Sequence, residues 1–159
     1  MSGWTFAEIW ETAAAQLPDA PFAKQGSRTV TWSEAERRAE GLATFLLDRG
    51  AQRQDKVAQY LYNCPEYLES VFACYKAALV PVNINYRYAA DELVYLWDNA
   101  DAVAVIFHGI FADTIEAIRE RVPRVASWLW VDHGSGDCPE WATPYEQSAG
   151  AAGQPVVDR

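Results

Sequence analysis

The residues whose types and spacing best suit chemistry form a short glycine-containing stretch, residues 133–137 (HGSGD), after a predicted strand. Glycine loops of this kind bind phosphates when their backbone N–H groups converge at the start of a helix. This stretch contains no lysine and no clear helix follows it, so we interpret it as a surface turn. The Gly-x-Gly-x-x-Gly, P-loop and Gly-x-Ser-x-Gly patterns do not occur in the sequence.

Isolated acidic and histidine residues lie near other predicted strand ends. Asp132 follows a predicted strand, which is a common position for catalytic residues in open α/β sheets, but a lone aspartate favours a turn or helix-cap role. His108 follows the predicted strand 102–107, and we interpret it as a partly exposed loop histidine, with a ligand-facing role as the alternative. Paired carboxylates fall on predicted helix surfaces, where solvated charge is ordinary: Asp91 with Glu92, and Glu116 with Glu120.

The charge of the chain argues against some partners. With 13 Lys and Arg against 22 Asp and Glu, the formal net charge is −9, and no basic face for a nucleic acid is present. No apolar run reaches the roughly 18 residues that a transmembrane segment needs, and the N-terminus has no basic region before an apolar run. Three cysteines, Cys64, Cys74 and Cys138, form no Cys-x-x-Cys pair. We therefore expect free thiols, no metal site and a cytoplasmic location.

The elements that must position these residues follow from hydrophobic periodicity. A helix is predicted over residues 6–16, begun by a capping box of Thr5 and Glu8, followed by a hairpin that turns at Gly26 and a helix over 33–49. The remaining predicted elements are strands 56–62, 80–84, 102–107 and 127–131 and helices beginning near 65, 90 and 111. Alternating strands and helices predict an α/β fold with a mostly parallel sheet flanked by helices.

The predicted organisation changes near residue 131. The chain of 159 residues has the size of one ordinary domain, and we predict that residues 1–131 form an α/β subdomain. Residues 132–159 contain glycines, prolines and alanines without a periodic pattern, which is typical of a loop or linker. Such a tail is unusual inside a finished domain, so we expect the chain to continue. We expect Trp4 and Trp141 on a surface that another domain covers.

Four segments, in order, resemble one enzyme family. Residues 55–67 (DKVAQYLYNCPEY) resemble the part of acyl-CoA synthetases in which a strand is followed by Asn-x-Pro-Glu and a helix. Residues 76–87 (KAALVPVNINYR) are similar to the family segment K-A-G-A-V-x-V-P-x-N-x-R, and residues 30–34 (VTWSE) to its Y-T-W-x-E helix entry. Asp91-Glu92-Leu93 and the strand after it complete the set. The resemblance is to the N-terminal portion of an adenylate-forming (AMP-binding) acyl-CoA synthetase, with the fatty-acyl-CoA ligases most similar.

The resemblance implies an ATP-dependent reaction in the full-length enzyme. A carboxylic or fatty acid attacks the α-phosphate of Mg-bound ATP to give an acyl-adenylate and pyrophosphate, and the CoA thiol then displaces AMP. The family's phosphate loop, rich in Ser, Thr and Gly, and its C-terminal catalytic Lys have no match before Arg159. The resemblance therefore implies that this chain is an incomplete synthetase fold that needs the remaining synthetase chain as its partner. It implies an isolated chain that is inactive, with no catalytic or metal-binding residue.

One site residue carries over by resemblance. In some members the arginine of the Asn-x-Arg segment contacts the nucleotide end of CoA, and Arg87 occupies that place; an exposed arginine beside Asp91 is the alternative. A guanidinium suits a phosphate because its donors are planar and forked. Where the family often has glycine, this sequence has Ala78, so local packing is expected to differ there. A free-standing small α/β module that binds a ligand or a partner protein is the alternative function.

Overall fold

Residues 4–152 are described by a computed structural model, and they contain six α-helices, two 3₁₀ helices (Gly109–Phe111 and Arg119–Arg121) and seven strands. The α-helices are α1 (Phe6–Gln16), α2 (Trp32–Asp48), α3 (Pro65–Lys76), α4 (Ala90–Asn99), α5 (Ala112–Glu116) and α6 (Tyr145–Ala149). The strands are β1 (Pro21–Gln25), β2 (Arg28–Thr31), β3 (Lys56–Tyr60), β4 (Val80–Asn83), β5 (Ala102–His108), β6 (Ser127–Val131) and β7 (Thr143–Pro144). None of the helices in this described range is long and apolar enough to cross a membrane.

The central sheet is parallel and has five strands in the order β4-β3-β5-β6-β7. Each neighbouring pair of these strands is joined by a helical or loop connection rather than by a tight hairpin, as parallel pairing requires. The antiparallel hairpin of β1 and β2 stands apart as a second, two-stranded sheet. The predicted α/β class, with a parallel sheet flanked by helices, is confirmed.

Two hydrophobic clusters cover the two faces of this sheet. Alternate residues of β5 belong to different clusters: Ala104 and Ile106 to the first, Val105 and Phe107 to the second. Successive side chains of a strand point to opposite faces, so the clusters lie on opposite sides. Helices α2, α3 and α6 pack on the first face, and α4 and α5 pack on the second.

Capping groups fix where the first helices begin. The Thr5 hydroxyl accepts from the Glu8 backbone N–H at 3.2 Å, and a Glu8 carboxylate oxygen accepts from the Thr5 N–H at 2.7 Å. This is the predicted capping box, in which two backbone donors that lack helical partners are satisfied reciprocally. Helix α3 begins at Pro65. Proline has no backbone N–H, but the N–H at the first helical position has no partner within a helix, so no hydrogen bond is lost there.

The sequence predicts a loop throughout the stretch after β6, but the structure has a short strand and a short helix there. Residues 143–144 form β7, which pairs with β6, and α6 follows with Tyr145 and Ala149 buried. Hydrophobic periodicity did not predict these two elements because both are short. Contacts with the rest of the chain stabilise them, rather than a periodic pattern of their own residues. Residues 153–159 lie outside the described part, and the division of the chain at residue 131 stays a prediction.

Helix α3 also buries a face that apolar spacing does not predict. Periodicity places Leu68 and Phe72 on the buried side. Phe72 is fully buried, but Leu68 is 38% exposed, and the buried face includes the charged residues Glu66, Glu69 and Lys76. Each of these charges pairs with a residue of α2 or of the hairpin. These three charged side chains can be buried because each forms an ion pair with a residue of a neighbouring element.

Ala78 occupies a backbone conformation that favours glycine. Its φ is 54°, in the left-handed region where the Cβ of an ordinary residue is crowded. We expect Ala78→Gly to raise the free energy of unfolding by about 0.5–1 kcal/mol, because it relieves this crowding. Urea unfolding would measure the change. The neighbouring Ala77, with φ −89°, is the control, since Ala77→Gly should destabilise. Equal effects at the two positions would contradict the strain argument.

Candidate functional site

The carboxyl ends of the parallel strands form the edge of the sheet where the candidate residues meet. Strand β3 leads to α3 on the first face, whereas β5 leads through a 3₁₀ turn to α5 on the second. Neighbouring strands whose connections leave to opposite faces open a crevice between their carboxyl ends, and ligands bind there in open α/β sheets. The crevice here lies between Tyr62, shortly after β3, and His108, the last residue of β5.

One hydrogen bond and four rings link the loops around this crevice. The Tyr62 backbone N–H donates to Nδ1 of His108 at 2.9 Å. The ring of His133, which follows β6, lies 4.7 Å from that of His108 and 5.4 Å from that of Tyr62. The Tyr86 ring, from the loop after β4, lies 4.9 Å from that of Tyr62. Residues from the ends of four strands therefore meet at one place.

His108 is 3% exposed, so its interpretation as a partly exposed loop histidine is wrong. Strand β5 extends one residue beyond the predicted strand and places His108 in register with Val131 of β6. Burial lowers the pKa of His108 from 6.5 to about 4, and the neighbouring His133 ring adds to the lowering. Because Nδ1 accepts a hydrogen bond, the neutral ring carries its proton on Nε2.

The pKa of His108 predicts a loss of stability in acid. The folded-state pKa of about 4 lies below the ordinary value of 6.5, so the unfolded chain binds this proton first as the pH falls. The contribution of His108 to the free energy of unfolding should therefore be greatest above pH 6.5. It should fall by about 2 kcal/mol towards pH 4, after allowance for solvent screening at the sheet edge.

Urea unfolding at several pH values tests this prediction with the variant His108→Asn. Its side-chain oxygen can accept the Tyr62 N–H but does not titrate in this range. The variant should lose the part of the pH dependence that His108 contributes, while carboxylates still titrate. An unchanged pH profile in the variant would contradict the buried neutral state.

Arg87 lies at the rim of the crevice and is exposed. Its guanidinium carbon is 5.5 Å from the centroid of the Tyr86 ring, and its backbone N–H donates to the Asn85 side chain at 3.0 Å. Asp91, the neighbour expected in the alternative interpretation, pairs instead with Arg121 at 2.9 Å. Within residues 4–152, no carboxylate forms an ion pair with Arg87. Its charge is available to an anionic ligand.

The glycine stretch after β6 has the geometry of an exposed turn. The Asp132 carboxylate accepts from the Gly134 backbone N–H at 2.8 Å, and residues 132–137 are exposed. Gly134 has φ 69°, in the left-handed region that glycine adopts without strain. The turn role predicted for Asp132 is confirmed by this bond. No regular helix follows within the described residues before α6, unlike a phosphate loop.

Three of the four paired carboxylates, Asp91, Glu92 and Glu116, have structural partners. Glu92 accepts from the Ala89 backbone N–H at 2.8 Å at the start of α4. Glu116 lies 3.4 Å from Arg119. Trp141, expected on a surface that another domain covers, is partly buried and stacks on Phe107 with 5.5 Å between ring centroids. Because the loop before β7 folds back over the second face of the sheet, only part of Trp141 remains exposed, and its cover by another domain stays a prediction.

Apart from the crevice, a cluster of charged side chains joins α2, α3 and α6 beside a cavity of about 470 Å³. Arg38, 7% exposed, donates through Nε to Glu69 at 2.9 Å and through both terminal nitrogens to Glu146 at 2.7 and 2.8 Å. The Tyr145 hydroxyl donates to Glu69 at 3.1 Å. Burial raises the pKa of Glu69 against the opposing effect of Arg38, whereas hydrogen bonds from Arg38 lower the pKa of Glu146. The cluster anchors α6 to the first face.

The comparison with protein families decides the membership of the chain. Residues 10–158 match the model of the AMP-binding enzyme family. The chain belongs to the AMP-binding enzyme family. It is 35% identical over 153 residues to a medium/long-chain-fatty-acid–CoA/3-oxocholest-4-en-26-oate–CoA ligase of Mycobacterium tuberculosis, and the match covers 96% of this chain. The chain spans only 28% of the length of that ligase.

Solved structures agree with the fold of this AMP-binding family member. The acetoacetyl-CoA synthetase of Streptomyces lividans superposes with a TM-score of 0.86 at 20% identity, and the match covers 97% of this chain and 26% of that one. The N-terminal domain of FACL13 from Mycobacterium tuberculosis gives 0.81 at 23% identity, covering 99% of this chain and 39% of that domain. The predicted resemblance to an N-terminal portion of the family is confirmed.

The sequence analysis did not predict that Tyr62 and His133 meet at the crevice, since it placed His133 in a surface turn and gave Tyr62 no site role. Tyr62 and His133 each follow a strand of the parallel sheet, so both reach the same edge as His108. The order of strands in the sheet, which places β3, β5 and β6 side by side, is what brings them together. The available signal was that Tyr62 is the last residue of one predicted strand and His133 follows another, since parallel strands share a carboxyl edge.

Proposed function

We propose that this chain is the N-terminal part of an ATP-dependent acyl-CoA synthetase. The supporting observation is the family match over residues 10–158 together with 35% identity to a fatty-acid–CoA ligase. In the proposed reaction a carboxylate attacks the α-phosphate of ATP, which binds with Mg, and pyrophosphate leaves. The thiol of CoA then attacks the acyl carbonyl, and AMP leaves. A medium- or long-chain fatty acid is the proposed substrate class.

The contribution of this chain is to form one wall of the substrate site. Its parallel sheet presents a fixed carboxyl edge, and a rigid scaffold holds bound groups in a reactive arrangement without further ordering. Arg87 is proposed to contact a phosphate at the nucleotide end of CoA. Two features support this role: the guanidinium is exposed, and no carboxylate within residues 4–152 neutralises it.

The domain division and the partner follow from the same proposal. Residues 1–131 are proposed as the α/β subdomain, and residues 132–159 as the segment that leads towards the phosphate loop of the longer enzyme. The chain spans 28% of the related ligase, so the rest of a synthetase is its proposed partner. We propose that the isolated chain is inactive and that the enzyme works in the cytoplasm.

An activity assay on the native gene product tests the proposal. The protein, purified from its source, is incubated with ATP, Mg²⁺, CoA and fatty acids of several chain lengths, and acyl-CoA and AMP are measured by mass spectrometry. We expect equimolar acyl-CoA and AMP from the native protein and neither product from the 159-residue chain. Absence of acyl-CoA with every fatty acid would contradict the synthetase function, and turnover by the isolated chain would contradict its proposed inactivity.

A further inference from the structure

A groove of about 600 Å³ lies between the β1–β2 hairpin and helix α3. Strand β1 forms one wall, and residues between 63 and 68 form the other. The Gln25 side-chain amide donates to the backbone carbonyl of Asn63 at 3.0 Å and joins the two walls. No residue of β5, β6 or the loops after them in the described range lines the groove, so it is separate from the crevice. Its volume falls within the range of about 300–1,000 Å³ that is typical of small-molecule sites.

The walls of the groove are mainly apolar. Phe22, Pro65, Tyr67 and Leu68 line them, and Leu68 is 38% exposed although it is a large aliphatic side chain. The Phe22 ring packs edge to face against the Trp32 ring of α2, with 4.9 Å between centroids. This contact holds the hairpin wall in place before any ligand binds. A preformed groove with apolar walls suits an aliphatic ligand, which gains by leaving water.

The charged side chains around the groove favour an anion. Lys24 lines the groove, is exposed and forms no ion pair within residues 4–152. The nearby α3 carboxylates, Glu66 and Glu69, pair with arginines of the hairpin and of α2 instead. Burial raises the pKa of the Cys64 thiol, which also lines the groove, to about 12, so this thiol stays neutral. The groove is therefore cationic although the whole chain has a net charge of −9.

We propose that this groove binds a fatty acid, with its carboxylate on Lys24 and its aliphatic chain along Phe22, Tyr67 and Leu68. A single negative charge on a long apolar chain complements both features of the groove, the unpaired cation and the apolar walls. The site lies outside the crevice at the carboxyl edge of the sheet. The inference therefore goes beyond the proposed function and does not depend on it, and the bound fatty acid is a ligand rather than a reacting substrate.

Calorimetric titration of the 159-residue chain with octanoate, decanoate and dodecanoate, each below its micelle concentration, tests the proposal. We expect one molecule per chain, and an affinity that rises about 2- to 4-fold per added methylene because each methylene is partly or fully buried. Decyltrimethylammonium has the same chain length as decanoate and the opposite charge. It should bind about tenfold more weakly than decanoate, whereas attraction to the net charge of −9 alone would favour it.

Three variants, each checked for folding by circular dichroism, locate the site. Lys24→Met keeps most of the side-chain length and removes the charge, so it should weaken decanoate binding about 2- to 5-fold. Leu68→Asp places a carboxylate in the apolar wall and should weaken binding by more than about tenfold. Arg37→Met is the control, because it removes an exposed positive charge that does not line the groove. It should leave the affinity for decanoate unchanged.

The other outcomes each overturn part of the proposal. Decyltrimethylammonium binding as tightly as decanoate would remove the role of Lys24. Equal decanoate affinity in the wild type and in folded Leu68→Asp would show that the fatty acid binds elsewhere. If decanoate does not bind to a monomeric, folded chain, the proposal is wrong. If sedimentation shows a dimer that Leu68→Asp dissociates, the groove is an interface between two copies instead. None of these results involves acyl-CoA formation by the native protein, so the proposed function stands or falls separately.

Discussion

Replacing Arg38 by methionine is expected to lower the free energy of unfolding by about 3–5 kcal/mol, the largest effect that we predict for a single substitution in this chain. Arg38 is the shared partner of Glu69, which is fully buried, and of Glu146. Methionine fills much of the same volume but cannot donate. Glu69 would remain as a buried carboxylate without its cation, and removing one partner of a buried pair costs more than the pair itself contributes.

Arg37 is the matched control for this experiment. It precedes Arg38 on α2, is exposed and undergoes the same change in charge when replaced by methionine. We expect Arg37→Met to change the free energy of unfolding by no more than about 0.5 kcal/mol. In the double variant Arg38→Met/Glu69→Gln, part of the lost stability should return because no carboxylate stays buried. Similar losses for Arg37→Met and Arg38→Met in urea unfolding would contradict the role of the buried cluster.

Gly41→Ala is expected to destabilise the chain by about 1–3 kcal/mol, although alanine normally favours a helix. A Cβ at position 41 would lie 2.5 Å from the carbonyl oxygen of Ala149 and 3.0 Å from that of Ala151. Both are backbone atoms, so α6 and the two residues after it would have to move away from α2. Loss of this packing should outweigh the roughly 1 kcal/mol that alanine gains over glycine inside a helix.

Hydrogen exchange measured by mass spectrometry locates the effect of Gly41→Ala. Peptides that contain α6 should exchange faster in the variant, while those from β5 should keep their protection. Asp48→Ala, at an exposed position of the same helix, is expected to leave both unchanged. A stabilised variant with α6 protection intact would show that the backbone of α6 does not press against position 41.

Hydrophobic periodicity correctly predicted the elements whose own residues determine whether they form a helix or a strand. Strand β5 is apolar along nearly its whole length because helices cover both faces of the sheet. Strand β7 and helix α6 could not be predicted in this way. Thr143 and Pro144 pair only because β6 offers an open edge, and α6 is held by the buried Tyr145 ring and by the ion pair of Glu146 with Arg38.

The candidate site was predictable only in part for a similar reason. Arg87 came from resemblance to a family segment, and its place at the rim of the crevice is a property of the loop after β4. The burial of His108 depends on one extra residue of strand, and strand ends are the least certain part of a periodic pattern. Tyr62 and His133 meet because β3 and β6 flank β5, an order that no local pattern contains.

The intact mass of the native protein, together with the reading frame of its gene beyond Arg159, tests whether this chain is part of a longer synthetase. We expect a protein several times heavier than 17.8 kDa and, after residue 159, a loop rich in Ser, Thr and Gly followed by a lysine. A stop codon directly after Arg159, with a native mass of 17.8 kDa, would contradict it. The protein would then be a free-standing α/β module that binds a ligand or a partner protein, without synthetase activity.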